Sequence, residues 1–210
     1  MFSQLDTPSA SIVEAFAAVA RPIIRGEYDI DSCIASTSIA VGVLRHFGLQ
    51  VMPMVARMRA FNPAMGQCLR EAGPLDAHAF ERWNCDQGAR MVSIGYADGR
   101  GVSEGYWAGH LVALVERQLL VDASADQASR PNDSIYLPGV LVAPITPMFR
   151  AGLERLLLRT GDKGGVVYEP YPADRSFRAA PHWKGSPTSK FVTNAIIVAM
   201  GKSRDIAVAA

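Results

Sequence analysis

Cys33, His110 and Asp122 are the residues of this chain whose types and settings could do chemistry together. Cys33 stands at the front of a helix-like run, DIDSCIASTSIAVGVLRHFGLQ (29–50). The N–H groups of a helix's first turn have no intrahelical partners, and the helix dipole is positive there. Both effects favour a thiolate, drawing a cysteine pKa from its usual ~8.5 toward neutral. The same amides can hold the oxyanion of a tetrahedral intermediate. Asp31 or Ser32 is expected to cap this helix, leaving Cys33 within its first turn. Taken alone, a cysteine in an apolar helix is more often a small packed residue than a nucleophile.

A nucleophilic thiol needs a base, and the chain has four histidines. His46 lies three turns along the same helix, too far from Cys33. His78, in a polar amphipathic stretch, and His182, in a polar loop, have no orienting acid beside them. His110 begins the β-prone run GHLVALV (109–115), and the next run, QLLVDAS (118–124), carries Asp122. Only Glu116 and Arg117 separate the runs, which predicts a tight antiparallel hairpin. A two-residue turn there places residue 110 opposite about 123, with Asp122 close by. That is the orienter position of a nucleophile–base–acid triad, where the acid fixes the imidazole tautomer and supports the imidazolium. A carboxylate among Leu119, Leu120, Val121 and Ala123 also needs a partner to offset its burial.

The elements that must position these groups follow from periodicity. Amphipathic spacing predicts a helix over 9–24, and the Cys33 helix runs from about 32 to 47 with Gly48 as its C-terminal stop. QVMPMVARMRAF (50–61) alternates as a strand, with Pro53 placing that part near an edge or bulge. The stretch 62–74 reads as loop and 75–84 as a short helix. MVSIGYA (91–97) and GGVVYEPY (164–171) read as strands. The segment from 126 to 147 reads as irregular, with a helix over 147–159 and a last helix over 188–201. One α+β domain spanning 1–210 is the simplest account.

Composition narrows the function classes. Apolar residues make up 49% and charged residues 20%, which is globular rather than disordered. A net charge of +1 with scattered arginines provides no field for nucleic acid. No apolar run approaches the roughly 20 residues that span a bilayer. The opening MFSQLDTPSASIVEAF lacks the basic, apolar and cleavage regions of a signal peptide. Three cysteines, an odd number, form no disulfide framework and fit a reducing compartment. These features together predict a soluble, cytoplasmic protein. Cys68, His78 and Cys85 match no zinc spacing, and GDKGG (161–165) lacks the Lys-Ser pair of a phosphate loop.

Two stretches carry a family resemblance. V-L-R-H-F-G-L-Q-V (43–51) after Cys33 resembles the end of the nucleophile helix in the transglutaminase-like branch of the papain-like cysteine enzymes. G-H-L-V-A-L-V-E-R-Q-L-L-V-D-A-S (109–124) resembles that branch's second block, with His110 and Asp122 on its His and Asp. The second block is also similar, more distantly, to that of arylamine N-acetyltransferases. D-S-C stands where the family has G-x-C. Together the resemblance covers under a quarter of the chain.

The resemblance implies a papain-like or transglutaminase-like α+β core, with N-terminal helices and the nucleophile helix packed on an antiparallel sheet. It also implies an insertion at about 60–105 between the Cys and His blocks. The implied chemistry is hydrolysis or acyl transfer on a peptide, protein or small acyl or amide substrate, through a Cys33–His110–Asp122 triad and a thioester, with no cofactor or metal. The oxyanion would be held by the backbone N–H of Cys33, with Tyr28 or Trp107 as side-chain helpers. Asp126 and Gln127 either line the cleft or form a surface turn, and Tyr106 and Trp107 either wall the pocket or pack in the core. The other reading, from a different class, is a non-catalytic binding or assembly module that keeps the fold. Partners exclude nucleic acid and membrane, and the oligomeric state is left open.

Overall fold

The computed structural model describes residues 7–29, 32–71, 88–95, 107, 109–160 and 164–208. It is a mixed α+β structure in which helices pack against a seven-stranded sheet, with every strand pairing among the described residues antiparallel. In chain order the main elements are α1 (Thr7–Arg25), α2 (Cys33–His46), β1 (Val51–Phe61), α3 (Pro63–Glu71), β2 (Met91–Ile94), β3 (His110–Val115) and β4 (Leu119–Asp122). They continue with β5 (Leu141–Pro144), α4 (Pro147–Arg150), β6 (Leu156–Arg159), β7 (Gly165–Tyr171) and α5 (Pro187–Val208). The order across the sheet is β5-β4-β3-β1-β7-β6, and β2 also pairs with β1.

Alternation along the strands divides the core in two. Val51 of β1, Ala113 and Val115 of β3, and Leu119 and Val121 of β4 face the layer made by α1, α2 and α5. Met54, Ala56, Met58, Val112, Leu114, Leu120, Val166 and Tyr168 face the other way, toward Ala125, Ile135 and Phe149. His110 and Asp122, as even-numbered strand residues, belong to this second face. Pro53 is tolerated because β1 at that point pairs only with β3; the β7 pairing begins at Val55.

The hairpin between β3 and β4 differs from the expected one, and the difference matters. Glu116 and Arg117 both have left-handed backbones (φ 50° and 57°), but Gln118 also belongs to the turn, and Val115 pairs with Leu119. A two-residue turn would have paired Val115 with Gln118 and put residue 122 opposite 111, on the far face from His110. The observed register puts 122 opposite 112, so that both side chains emerge on one face.

Other expectations also need correction. Residues 63–71 are helical rather than loop: Asn62 caps α3 by accepting from the Met65 N–H at 2.9 Å, and Pro63 takes the first helical position. The helix expected over 147–159 ends at Arg150, because the chain turns at Gly152 (φ 81°) and resumes as β6. The irregular segment 126–147 contains β5. The helix expected over 75–84 lies outside the described residues, as does most of the expected 60–105 insertion.

Candidate active site

Cys33 is the first residue of α2. Ser32 is the cap residue, but its side chain makes no capping hydrogen bond and instead meets Ser36 Oγ at 3.3 Å. The first-turn amides therefore have no side-chain cap from Ser32 competing with an incoming anion. Asp31, the other expected cap, lies outside the described residues. Cys33 packs among Val55, Leu111, Phe177 and Trp107, at 8% exposure, and its thiol donates weakly to the Gly109 carbonyl at 3.8 Å. Thr37, one turn further along, anchors α2 to the same strand by donating to the Leu111 carbonyl at 2.7 Å.

The Gly109 carbonyl sits where β3 begins, so α2 brings the thiol to the strand's open end, and His110 is the next residue. Trp107 lies so close to Gly109 that a Cβ at that position would collide with the indole ring. Across the pair, Ala56 stands opposite His110, and its small side chain leaves room for the ring.

His110 and Asp122 are both fully buried, and Nε2 of the ring lies 2.7 Å from Asp122 Oδ2. The same carboxylate oxygen accepts from the Tyr168 hydroxyl at 2.8 Å. Its other oxygen accepts from the Ser124 N–H at 3.0 Å and the Ser124 hydroxyl at 3.3 Å. Burial alone would lower the His110 pKa. The Asp122 charge and hydrogen bond, followed by smaller contributions of the same kind from Cys33, outweigh it and push it up to about 10. Burial alone would raise Asp122, but His110, Tyr168 and Ser124 hold it below the usual carboxylate range. Tyr168 is pushed well above its ordinary value, first by burial and then by Asp122, so it stays a donor.

The other ring nitrogen has a partner that was not foreseen as such. Gln127, on the 3-10 turn Ala125–Ala128, brings its carboxamide nitrogen 2.6 Å from His110 Nδ1. The sequence allows Gln127 either in the cleft or in a surface turn; it is 2% exposed and touches the ring. Its placement depends on the short turn that follows β4 directly, and only its proximity to Asp122 in the chain hinted at this. Tyr168 was missed altogether; the available signal was a polar-tipped aromatic at an inward position of the strand GVVYEPY.

A cavity of about 570 Å³ opens onto the thiol, with Tyr28, Ile34, Trp107, Gly109, Gln127 and Arg130 among its lining. Trp107 thus walls the pocket as well as packing against the core. Its indole N–H donates to Ser176 Oγ at 2.8 Å, which removes it as an oxyanion donor. The Tyr28 hydroxyl is engaged with Ser186 at 3.4 Å. His46 is exposed at the far end of α2, and His182 is an exposed residue of the cavity lining. Cys68 lies on α3, while His78, Cys85 and Tyr106 lie outside the described residues. Among the described residues no helix is long and apolar enough to cross a membrane. Comparison with models of protein families, with curated proteins and with solved structures yields no match.

Proposed function

We propose that this chain is a cysteine-dependent hydrolase or acyltransferase with a papain-like, transglutaminase-like core. The observation that carries this reading is a buried His110–Asp122 pair, 2.7 Å apart, beside a thiol at a helix N-terminus that opens onto a cavity. Asp122 keeps a proton on Nε2 and leaves Nδ1 to accept one. With its pKa raised to about 10, His110 holds the proton taken from Cys33 at Nδ1 as an imidazolium, and the thiolate of this ion pair attacks the acyl carbonyl of an amide, peptide or related substrate. The tetrahedral oxyanion is met by the first-turn amides of α2, whose dipole favours negative charge there. His110 then returns the proton to the leaving amine as the C–N bond breaks, forming a thioester. Water or a second amine, deprotonated by the same ring, resolves it.

A second reading, a binding or assembly module with an idle triad, is favoured by two contacts. Gln127 occupies the nitrogen that must accept the proton, and the thiol is shared between the ring and the Gly109 carbonyl. Alkylation of Cys33 by iodoacetamide, followed peptide by peptide against pH, separates the two. The enzyme reading expects reaction well below pH 8, and loss of all turnover in Cys33→Ala once an acyl substrate is found. Reaction only above pH 8 favours the module.

A further inference from the structure

Among the described residues, Gln127 brings its carboxamide nitrogen to 2.6 Å from Nδ1 of His110, the nitrogen that exchanges a proton with Cys33. Asp122 holds Nε2, so every change in the ring's protonation occurs at Nδ1. A carboxamide is two-sided: its NH₂ donates to the lone pair of a neutral ring, and its carbonyl accepts from an imidazolium. Nδ1 offers a single in-plane direction, so Gln127 competes with Cys33 in both states. It competes with the thiol for the lone pair, and with the thiolate for the N–H.

Resting on the acyl-transfer reading, we propose that Gln127 is a positioning residue that restrains the Cys33–His110 proton transfer until an occupant of the cavity draws its carboxamide away. The geometry provides the route, because Gln127 lines the same cavity as the thiol and so can be reached by whatever fills it. Its backbone is held independently of its side chain. The Gln127 N–H donates to the Ser124 carbonyl at 3.1 Å, and its own carbonyl accepts from Arg130 at 2.8 Å. The side chain can therefore turn while the turn itself stays in place. Among the described residues, the charged and titratable groups around the ring are Asp122, Tyr168 and Cys33; those beside Gln127 are Asp126, which pairs with Arg21, and Arg130. Of these, only Cys33 contends with Gln127 for Nδ1.

The test is the pH profile of Cys33 alkylation in the full chain, with wild type, Gln127→Met and His110→Asn compared. Met keeps the length of Gln and offers no N–H donor or carbonyl acceptor. The expected result is alkylation roughly fivefold faster at neutral pH in Gln127→Met, the size of one lost neutral hydrogen bond, with the midpoint moved to lower pH. A midpoint that stays put or rises, in a variant with the wild-type circular dichroism spectrum, overturns the proposal. If His110→Asn leaves alkylation unchanged, the acyl-transfer reading itself fails and the restraint goes with it. If alkylation depends on His110 but not on Gln127, only the restraint fails. Should Gln127→Met not fold, the wild type still decides by ¹⁵N NMR. The Gln127 side-chain amide must shift with the His110 ring as the ring titrates, and an amide signal flat across that titration overturns the proposal.

Discussion

Asp122 has no exposure to water, and both of its oxygens are occupied: His110 and Tyr168 on one, Ser124 twice on the other. A buried carboxylate so arranged holds its charge, and it holds the charge of its partner. The consequence for stability has two signs. His110 is raised from 6.5 to about 10, so its contribution is complete below about 6.5 and is lost as pH rises through about 10. Asp122 is lowered from 3.8, so its contribution is present above that value and is lost as pH falls through the lower folded value. Both contribute fully between about pH 4 and 6.5. Thermal melts should therefore show a maximum in that interval and a decline toward pH 10. In Asp122→Asn the melting temperature should be lower throughout and the alkaline decline flatter, because the charge that raises the ring is gone. An unchanged alkaline slope in the variant would mean that another group titrates there.

Among the elements, the clearest case is α3, where the sequence predicts loop and the structure forms a helix. Asn62 is 5% exposed, and all its side-chain hydrogen-bonding sites are in use. Its Oδ1 accepts from the Met65 N–H at 2.9 Å and the Arg90 N–H at 3.1 Å, while its Nδ2 donates to the Gly88 carbonyl at 2.8 Å and the Asp133 carbonyl at 3.1 Å. One side chain thus caps α3 and ties it to the start of β2 and to the Pro131–Asp133 turn. Asn62→Ala is expected to cost about 3 kcal/mol in urea unfolding, above an ordinary lost cap, because it strands several buried backbone groups. A cost below 1 kcal/mol would mean that water replaces these contacts. The Asn-Pro cap signal was present in the sequence, but Gly66 and the polar Gln67 masked the helix behind it. By contrast, α1, α2, β1, β3, β4, β7 and α5 were legible because long apolar periods dictate them. So was the meeting of His110 with Asp122, since a carboxylate inside an apolar strand needs a partner. Hairpin register was not legible, because the added turn residue depends on contacts such as Gln50 with Glu116, which lie 66 residues apart in the chain. The short β5 and β6 were hidden likewise, because pairing with neighbours rather than composition makes them strands.

Across the whole molecule, Cys33 and His110 reside on different layers, and a buried arginine helps to join them. Arg21 of α1 is 5% exposed, pairs with Asp126 at 2.6 Å and donates to Ser36 Oγ of α2 at 3.3 Å. Ser36 in turn meets Ser32, the residue before Cys33. Asp126 is the residue before Gln127, so the pair fixes the turn that touches His110 to the helix layer that carries Cys33. Its stem packs on Gly139, where a Cβ would lie 2.6 Å from Arg21 Cγ. The exposed Arg25 is only a distant second partner, 3.5 Å from Asp126. Removing one member of a buried pair leaves the other charge without compensation, which costs more than the pair gains over an apolar replacement. Asp126→Asn should thus destabilise the fold by about 3 kcal/mol, at the low end for buried pairs because Asp126 retains some contact with water. Arg21→Met combined with Asp126→Asn should recover much of that loss, whereas Arg25→Gln alone should change stability by less than about 0.5 kcal/mol. A double-mutant cycle in urea measures the coupling directly. If the two single changes are additive, Arg21 and Asp126 act separately, and the turn carrying Gln127 must be held by its own contacts. Strong coupling, accompanied by a displaced pH profile for Cys33 alkylation in Asp126→Asn but not in Arg25→Gln, ties the joint between layers to the chemistry at the thiol.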